Sequence, residues 1–389
     1  MFYARKAIAA LESKRHLFAE AEQSRQEDLR GLSDVLEILA GLSRSEVELS
    51  LQRLPRPGAL PTADHDRYRR LVLPFGVTWA SHRQARRWAL RVLRNVPTFV
   101  VDGSQIPPTH DISIPVAVVQ VGCFENPHQG SAPYTKDVDV EVLTPAELAA
   151  DYEEGGLFPH WRVNWQRFKM EIERLVSYMG SHAGVVPPPL CFFDGSLVVS
   201  FAQHMGAEHQ RLYTDAVAGL LNASEQTRVP VVAYVDASYA NDLVAMLSHL
   251  GGLHLTSRIS DASLLRPRMK WGDRTQVYIC ARDDAVLDRY YERVCFVYLK
   301  TTADNPPARV EFPRWIYEAD EQERVLDLVR AECIVGTGYP YPLETADAVA
   351  VLTMPDRERF YRILQEFTER EGLPLRFPRK AVSKGRRRT

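Results

Sequence analysis

Three times along the chain an apolar run of strand length stops at an aspartate: VVDGS reaches Asp102, FFDGS reaches Asp194 and YVDAS reaches Asp236. Short runs of β-branched and aromatic residues closed by Asp-Gly read as buried strands. If the strands that carry these motifs run parallel, the three aspartates leave the sheet at one edge, where open α/β sheets gather their ligands. Carboxylates brought together there repel one another unless a cation joins them, so the repeat constrains chemistry as well as fold.

The surrounding pattern supplies such a sheet. TFVVD, ISIPVAVVQVG and KDVDVEVLT are three successive strand patterns, the start of an antiparallel meander. NWQRFKMEIERLVSYM places Trp165, Phe168, Ile172, Leu175, Val176 and Met179 at helical spacing, so a helix is expected to pack on it. PLCFFDGSLVVSF, HQRLYTDAVAGLLN, VPVVAYVD and YANDLVAMLSHL then alternate strand and helix, and such crossovers favour parallel strands. Further strands at QVYIC, CFVYL and ARVEF and helices around EQERVLDLVRAEC, ETADAVAVL and DRERFYRILQEFTE complete the chain. Three antiparallel strands followed by alternating helices and parallel strands is the order of a ribonuclease H-like fold. The predicted class is therefore α/β, a mixed sheet flanked by helices, over residues 96–375. Residues 1–95, rich in Ala, Leu, Glu and Arg, are expected to form an N-terminal helical extension broken by a loop at LPRPGALPT. The basic tail, residues 376–389, is expected to be disordered.

Composition narrows function mainly by exclusion. With a formal net charge of −2 there is no global basic field, so any nucleic-acid contact has to come from local patches. One candidate patch, Arg83, Arg87, Arg91 and Arg94, reads better as the solvated face of an amphipathic helix. The longest apolar runs fall far short of the roughly 20 residues of a membrane span, and MFYARKAIAALESKRHLF lacks the apolar core of a secretory signal, so a cytoplasmic location is expected. Five scattered cysteines without Cys-x-x-Cys spacing read as buried reduced thiols, implying neither zinc nor disulfides. No Gly-x-Gly-x-x-Gly, Gly-Lys-Ser/Thr, His-Glu-x-x-His or Gly-x-Ser-x-Gly motif occurs, which argues against ATP hydrolysis by this chain.

The candidate chemistry is thus carboxylate chemistry. A single Asp-Gly-Ser is also an ordinary strand-ending turn, and the pattern alone leaves both readings standing. Oxygen-only ligands at a sheet edge suit magnesium or manganese, and two such ions can bridge a scissile phosphate. Glu171 borders the apolar face of the intervening helix beside Phe168 and Leu175 and is preferred over Glu173 as a further ligand, while either residue reads equally as an exposed Glu on an amphipathic helix. In GTGYPYPLETADAVAVL, Asp347 either overhangs the same edge or merely complements a helix dipole, and Tyr339 and Tyr341 either meet substrate or pack.

With these residues in hand, the chain resembles the NurA nucleases from about Pro97 to Glu371. The resemblance is carried by an ordered set: VVDGSQ, RFKME, FFDGSL, WGDRT, RVEFPRW and GYPYPLETAD. It implies a ribonuclease H-like core, a homodimer, and manganese-dependent cleavage of DNA (5'-3' exonuclease and single-strand endonuclease), with magnesium as the alternative ion and two ions in the centre. It also implies partnership with the hexameric HerA translocase, an ATPase, in processing DNA ends. Mapped onto this chain, Asp102, Glu171 and Asp194 are the catalytic metal ligands, Asp236 and Asp347 are further metal candidates, and Arg274, Arg309 and Tyr339 are candidate DNA contacts. Two departures stand out: Asp347 occupies a position where the family usually has His, and YVDAS replaces a Lys-containing version, which leaves Asp236 as either an added ligand or a structural residue. Two rival readings remain, a catalytically weak DNA-binding scaffold of a translocase complex, and a phosphatase-like enzyme with a strand-end aspartate nucleophile. The second lacks its usual Asp two residues on, where Ser104 and Ser196 stand.

Overall fold

The structure, a computed structural model, describes residues 3–54, 56–109, 112–130, 132–149, 160–282 and 290–376; the basic tail beyond Arg376 lies outside them. Helices α1 (Ala4–Ser13), α2 (Arg15–Gly41) and α3 (Arg44–Leu51) precede β1 (Gly58–Pro61), α4 (Asp64–Tyr68), β2 (Val72–Leu73) and α5 (His82–Leu93). The meander β3 (Thr98–Ile106), β4 (Ala117–Asn126) and β5 (Thr135–Leu143) leads to α6 (Pro145–Ala149), α7 (His160–Ser181) and β6 (Leu190–Asp194). Next come α8 (Ala207–Thr227), β7 (Val231–Val235), α9 (Asp242–Gly251), α10 (Asp261–Leu265), β8 (Arg274–Thr275), β9 (Tyr278–Ala281), β10 (Val294–Leu299) and β11 (Ala308–Pro313). Four helices follow: α11 (Arg314–Glu318), α12 (Gln322–Val335), α13 (Tyr341–Ala350) and α14 (Met354–Arg370).

Two units share this chain, each assembled from segments distant in sequence. The first takes Met1–Ala85, Gly195–Thr214 and Val232–Leu326. Its strands run β1, β9, β10, β11, β7, each antiparallel to its neighbour. The apolar stripe of α2, Leu32, Val35 and Leu39, is buried, and Gly251 of α9 has no room for a side chain against Val35, so these two helices approach closely. LPRPGALPT, expected to be a loop, contains β1, which pairs Gly58 with Ala281 and Pro61 with Tyr278. Its four residues include Gly and Pro because β1 is an edge strand, where a missing ladder donor is tolerated.

The second unit takes Arg86–Asp194, Asp215–Val231 and Asp327–Thr389. Here β4 lies between β3 and β5, antiparallel to both, and β6 lies parallel to β3 on its other side. This is the ribonuclease H-like strand order expected from the sequence, as far as this unit carries it. Helix α7 buries Val163, Phe168, Ile172, Leu175 and Met179 and packs on β3 and β4, with Phe168 edge-on to Phe193 of β6. Helix α13 buries Leu343, Ala346 and Ala350, also over β3 and β4. All five cysteines are buried free thiols. Among the described residues no helix is long and apolar enough to cross a membrane.

One buried polar cluster in this unit has a pH signature. His128 Nδ1 lies 2.8 Å from the Val96 carbonyl, which can only accept, so Nδ1 carries the proton. Its Nε2 stands 3.2 Å from Glu332 Oε1, which also accepts the Thr98 hydroxyl at 2.9 Å. Burial raises the Glu332 carboxyl to about 8 and lowers His128 to about 4, so the pair is a neutral acid donating to a neutral imidazole rather than an ion pair. Folded and unfolded chains each hold one proton on the pair between the ordinary values of 4.5 and 6.5, where stability has no slope from it. From pH 6.5 to 8 the unfolded chain has lost that proton and the folded chain keeps it, so stability falls, by ~1–2 kcal/mol. Urea unfolding at pH 6.5 and 8 should show a smaller decline in Glu332→Gln than in wild type; equal declines would mean that the folded pair does not keep its proton up to pH 8.

Candidate active site

The register of the second unit brings two of the aspartates together. Val100 of β3 pairs with Phe192 of β6 and Val101 with Phe193, so one step further Asp102 and Asp194 lie side by side on adjacent parallel strands, about 4.8 Å apart in backbone. Strand β6 ends there, but β3 continues to Ile106, so the first Asp-Gly-Ser is not a turn. What Gly103 provides is space. A Cβ at that position would overlap Glu171 Oε1 and the Arg167 side chain, both on α7. Glu171 thereby reaches the strand beside Asp102.

Strand alternation sorts the remaining residues by face. Asp102 lies opposite Gly122 in register, and a Cβ at Gly122 would collide with Val349 and Ala350 of α13. Two residues along, Ser104 Oγ accepts the Leu352 N–H at 3.1 Å, and its cross-strand partner Gln120 donates to the Ala350 carbonyl at 2.9 Å. Helix α13, which carries Asp347, is thus clamped to the Asp102 face, while Glu171 approaches from the α7 face through the gap at Gly103.

Electrostatics reports the resulting proximity. Burial, then the Asp194 charge, with a smaller contribution from Asp347, raises the Asp102 carboxyl to about 6, although the Gly103 N–H donates to its Oδ1 at 2.7 Å. Glu171 is raised to about 8, mainly by burial, with Arg167 opposing and Asp102 and Asp194 adding to the rise. Arg167 Nη1 is 3.4 Å from Glu171 Oε1 but donates instead to the Gly103 carbonyl at 3.2 Å. Glu171 Oε1 consequently is buried with no hydrogen-bond partner among the described residues. An acceptor left in that state awaits a cation or a donor. Asp194 and Asp347 are exposed, so the cluster has two buried and two open carboxylates.

Among the described residues no three His, Cys, Asp or Glu side chains stand close enough to form a finished metal cage. The side chains nevertheless suit a hard divalent cation: they are all carboxylates, the Asp194 charge raises both Asp102 and Glu171, and one buried Glu171 oxygen has no hydrogen-bond donor among the described residues. Glu173, the alternative to Glu171, is exposed and pairs with Lys169 at 3.7 Å. Asp236 belongs to the first unit, just beyond β7, with its carboxyl raised by burial. Arg274 is 2% exposed and paired with Asp64 at 3.2 Å and with Glu323, so the expected DNA contact at this position is corrected to a structural ion pair. Arg309 is 1% exposed, with Nε donating to Glu311 and Nη1 to Asp242. Tyr339 is half-buried in the turn before α13. The spacing roles of Gly103 and Gly122 escaped sequence reasoning, although each lies inside a strand pattern, a position that signals close backbone approach.

An alanine at Gly103 has to displace Glu171 or Arg167. Gly103→Ala should therefore lower unfolding stability by ~1–3 kcal/mol, whereas Gly206→Ala, with nothing within 4 Å of the added Cβ, should not. Equal stabilities in a denaturant titration would show that α7 yields freely.

Several solved structures are similar to this chain. A crystal structure of NurA with manganese is 10% identical with a TM-score of 0.39, covering 71% of this chain and 89% of that one. A crystal structure of NurA is 10% identical with a TM-score of 0.40, covering 70% and 89%. One of NurA bound to dAMP and manganese is 10% identical with a TM-score of 0.34, covering 67% and 85%. No curated protein matches the chain. The NurA domain profile matches residues 96–352, a span that includes Asp102, Glu171, Asp194 and Asp347, and the chain belongs to the NurA family.

Proposed function

We propose that this protein is a metal-dependent deoxyribonuclease whose centre is Asp102, Glu171, Asp194 and Asp347. What supports the reading is that Asp102 and Asp194 stand on adjacent parallel strands where β6 ends, with the Asp347 charge acting on Asp102 and a buried oxygen of Glu171 left without a hydrogen-bond donor among the described residues. Family membership supports a nuclease over the phosphatase-like reading. The four carboxylates would hold two divalent ions, manganese before magnesium, with Asp347 standing where relatives usually have His.

When bound, such ions lower the pKa of a water and stabilise charge on a phosphodiester. The chain's own residues supply position. Gly103 donates its N–H to Asp102 and leaves room for Glu171, while Arg167 ties α7 to the Gly103 carbonyl, so strand and helix present their carboxylates in a fixed relation. Ser104 and Gln120 hold the end of α13, and with it Asp347, on the same strand pair. The lack of a phosphate-binding loop supports a division of labour in which a HerA-type hexameric ATPase feeds DNA ends to this chain, acting as a homodimer.

The test is cleavage of end-labelled single- and double-stranded DNA by the purified wild-type chain with manganese, magnesium or EDTA. Manganese-dependent cleavage that EDTA stops is the expected result. No cleavage, even with a HerA-type ATPase and ATP present, overturns it and leaves the DNA-binding scaffold as the better reading.

A further inference from the structure

The first unit contains a cavity of about 440 Å³ to which none of the four carboxylates contributes. It falls within the range of small-ligand sites, roughly 300–1,000 Å³. Its wall is made by residues that follow Asp194 and Asp236, between Ser196 and Gln203 and between Ala237 and Asn241, together with Arg282, Arg309 and Glu311. Those segments have the composition of a recognition surface. Tyr239 is 91% exposed and Phe201 is 53% exposed, its ring set edge-on against Tyr213 at 5.0 Å. Asn241 precedes α9 without using its side chain as a cap.

The buried wall is polar and almost completely paired. Arg309 donates from Nε to Glu311 and from Nη1 to Asp242, each at 2.6 Å. Arg282 donates to both oxygens of Asp242 at 2.7 Å and to Ser200 Oγ at 2.5 Å. Among the described residues Arg309 Nη2 has no acceptor. Two guanidiniums against two carboxylates leave no net charge to attract a phosphate. What the cavity offers is one buried donor without an acceptor among the described residues, aromatic side chains, and the Asn241 amide, which does not cap α9. That combination suits a neutral planar heterocycle carrying carbonyl or ring-nitrogen acceptors.

We propose that this cavity receives one unstacked nucleobase of single-stranded DNA, which stacks on Tyr239 and accepts a hydrogen bond from Arg309 Nη2. The inference rests on the nuclease reading for its substrate class. It also gives Glu311 a second task. Its other oxygen accepts the Ser196 hydroxyl at 2.8 Å and the Leu197 N–H at 2.7 Å, so the carboxylate that fixes Arg309 also fixes the loop that starts directly after Asp194. A base held there sets the register of the strand relative to that loop.

The experiment uses the full chain in EDTA, so that binding is read without cleavage. The probes are a single-stranded oligonucleotide containing 2-aminopurine and the same oligonucleotide with an abasic residue at that position. Wild type should bind the base-bearing strand about tenfold more tightly than the abasic one, with a change in 2-aminopurine fluorescence. Tyr239→Ala, an exposed change that leaves the fold intact, should abolish both the preference and the fluorescence change. Equal binding of the two strands by wild type, no binding of either, or an unchanged preference in Tyr239→Ala overturns the proposal. The two readings fail separately: manganese-dependent cleavage without base preference removes the pocket and keeps the nuclease, whereas base preference without cleavage does the reverse.

Discussion

Replacing Asp102 with asparagine should reduce metal-dependent DNA cleavage by about 10³-fold or more, while the metal-free protein remains folded and at least as stable as wild type. The two halves of this result have one cause. Asp102 is 9% exposed, and its charge is opposed by burial and by Asp194 and Asp347, so the folded chain carries a repulsion that a cation would relieve. Asparagine keeps the oxygen that accepts the Gly103 N–H and removes the charge, which should stabilise the metal-free fold by on the order of 1 kcal/mol. Manganese should then raise the melting temperature of wild type much more than that of Asp102→Asn, because stabilisation by a ligand follows its affinity for the folded state. If activity and metal-free stability were lost together, Asp102 would be a structural residue, and the ligand assignment would fail.

Legibility in the sequence follows the range of the interactions involved. The strands of the meander, β6 and the buried face of α7 are written in local periodicity, and so is the order within the meander, because β3, β4 and β5 are successive neighbours, whereas β6 returns to lie beside β3. Helix periodicity puts Glu171 at the border of the stripe, but its reach to the strand depends on the gap at Gly103, a property of two packed elements, while Glu173 pairs with Lys169 at the surface. Strands β1 and β2 were missed for a similar reason, since their partners lie some two hundred positions away, Pro61 with Tyr278 and Val72 with Thr275. Arg274 misled most. An arginine in a charged motif reads as a surface group, and only the fold reveals that Asp64 comes from elsewhere to pair with it in the interior.

A second buried ion pair should produce the largest stability effect in the chain. Asp242→Ala should cost ~3–5 kcal/mol, a large fraction of the stability of an ordinary domain. Asp242 is 1% exposed and carries the charge of two arginines, Arg282 through both its oxygens and Arg309 at 2.6 Å. Removing it leaves both cations with Glu311, whose two oxygens are already engaged, and with Asp261, whose oxygens already accept the Leu243 and Val244 N–H groups and the Tyr298 hydroxyl. Arg309 also lies over the Phe296 ring at 3.8 Å, so its guanidinium cannot swing to water without vacating the core. The control is Glu323→Ala, whose partner Arg274 is buried but whose own side chain is 53% exposed. Arg274 keeps Asp64, so that change should cost less than about 1 kcal/mol. Guanidinium unfolding followed by far-ultraviolet circular dichroism distinguishes the two. Similar losses in both variants would mean that the Asp242 network is no more dependent on its central carboxylate than a surface pair, and the account of Arg309 as a fixed wall donor would fall with it.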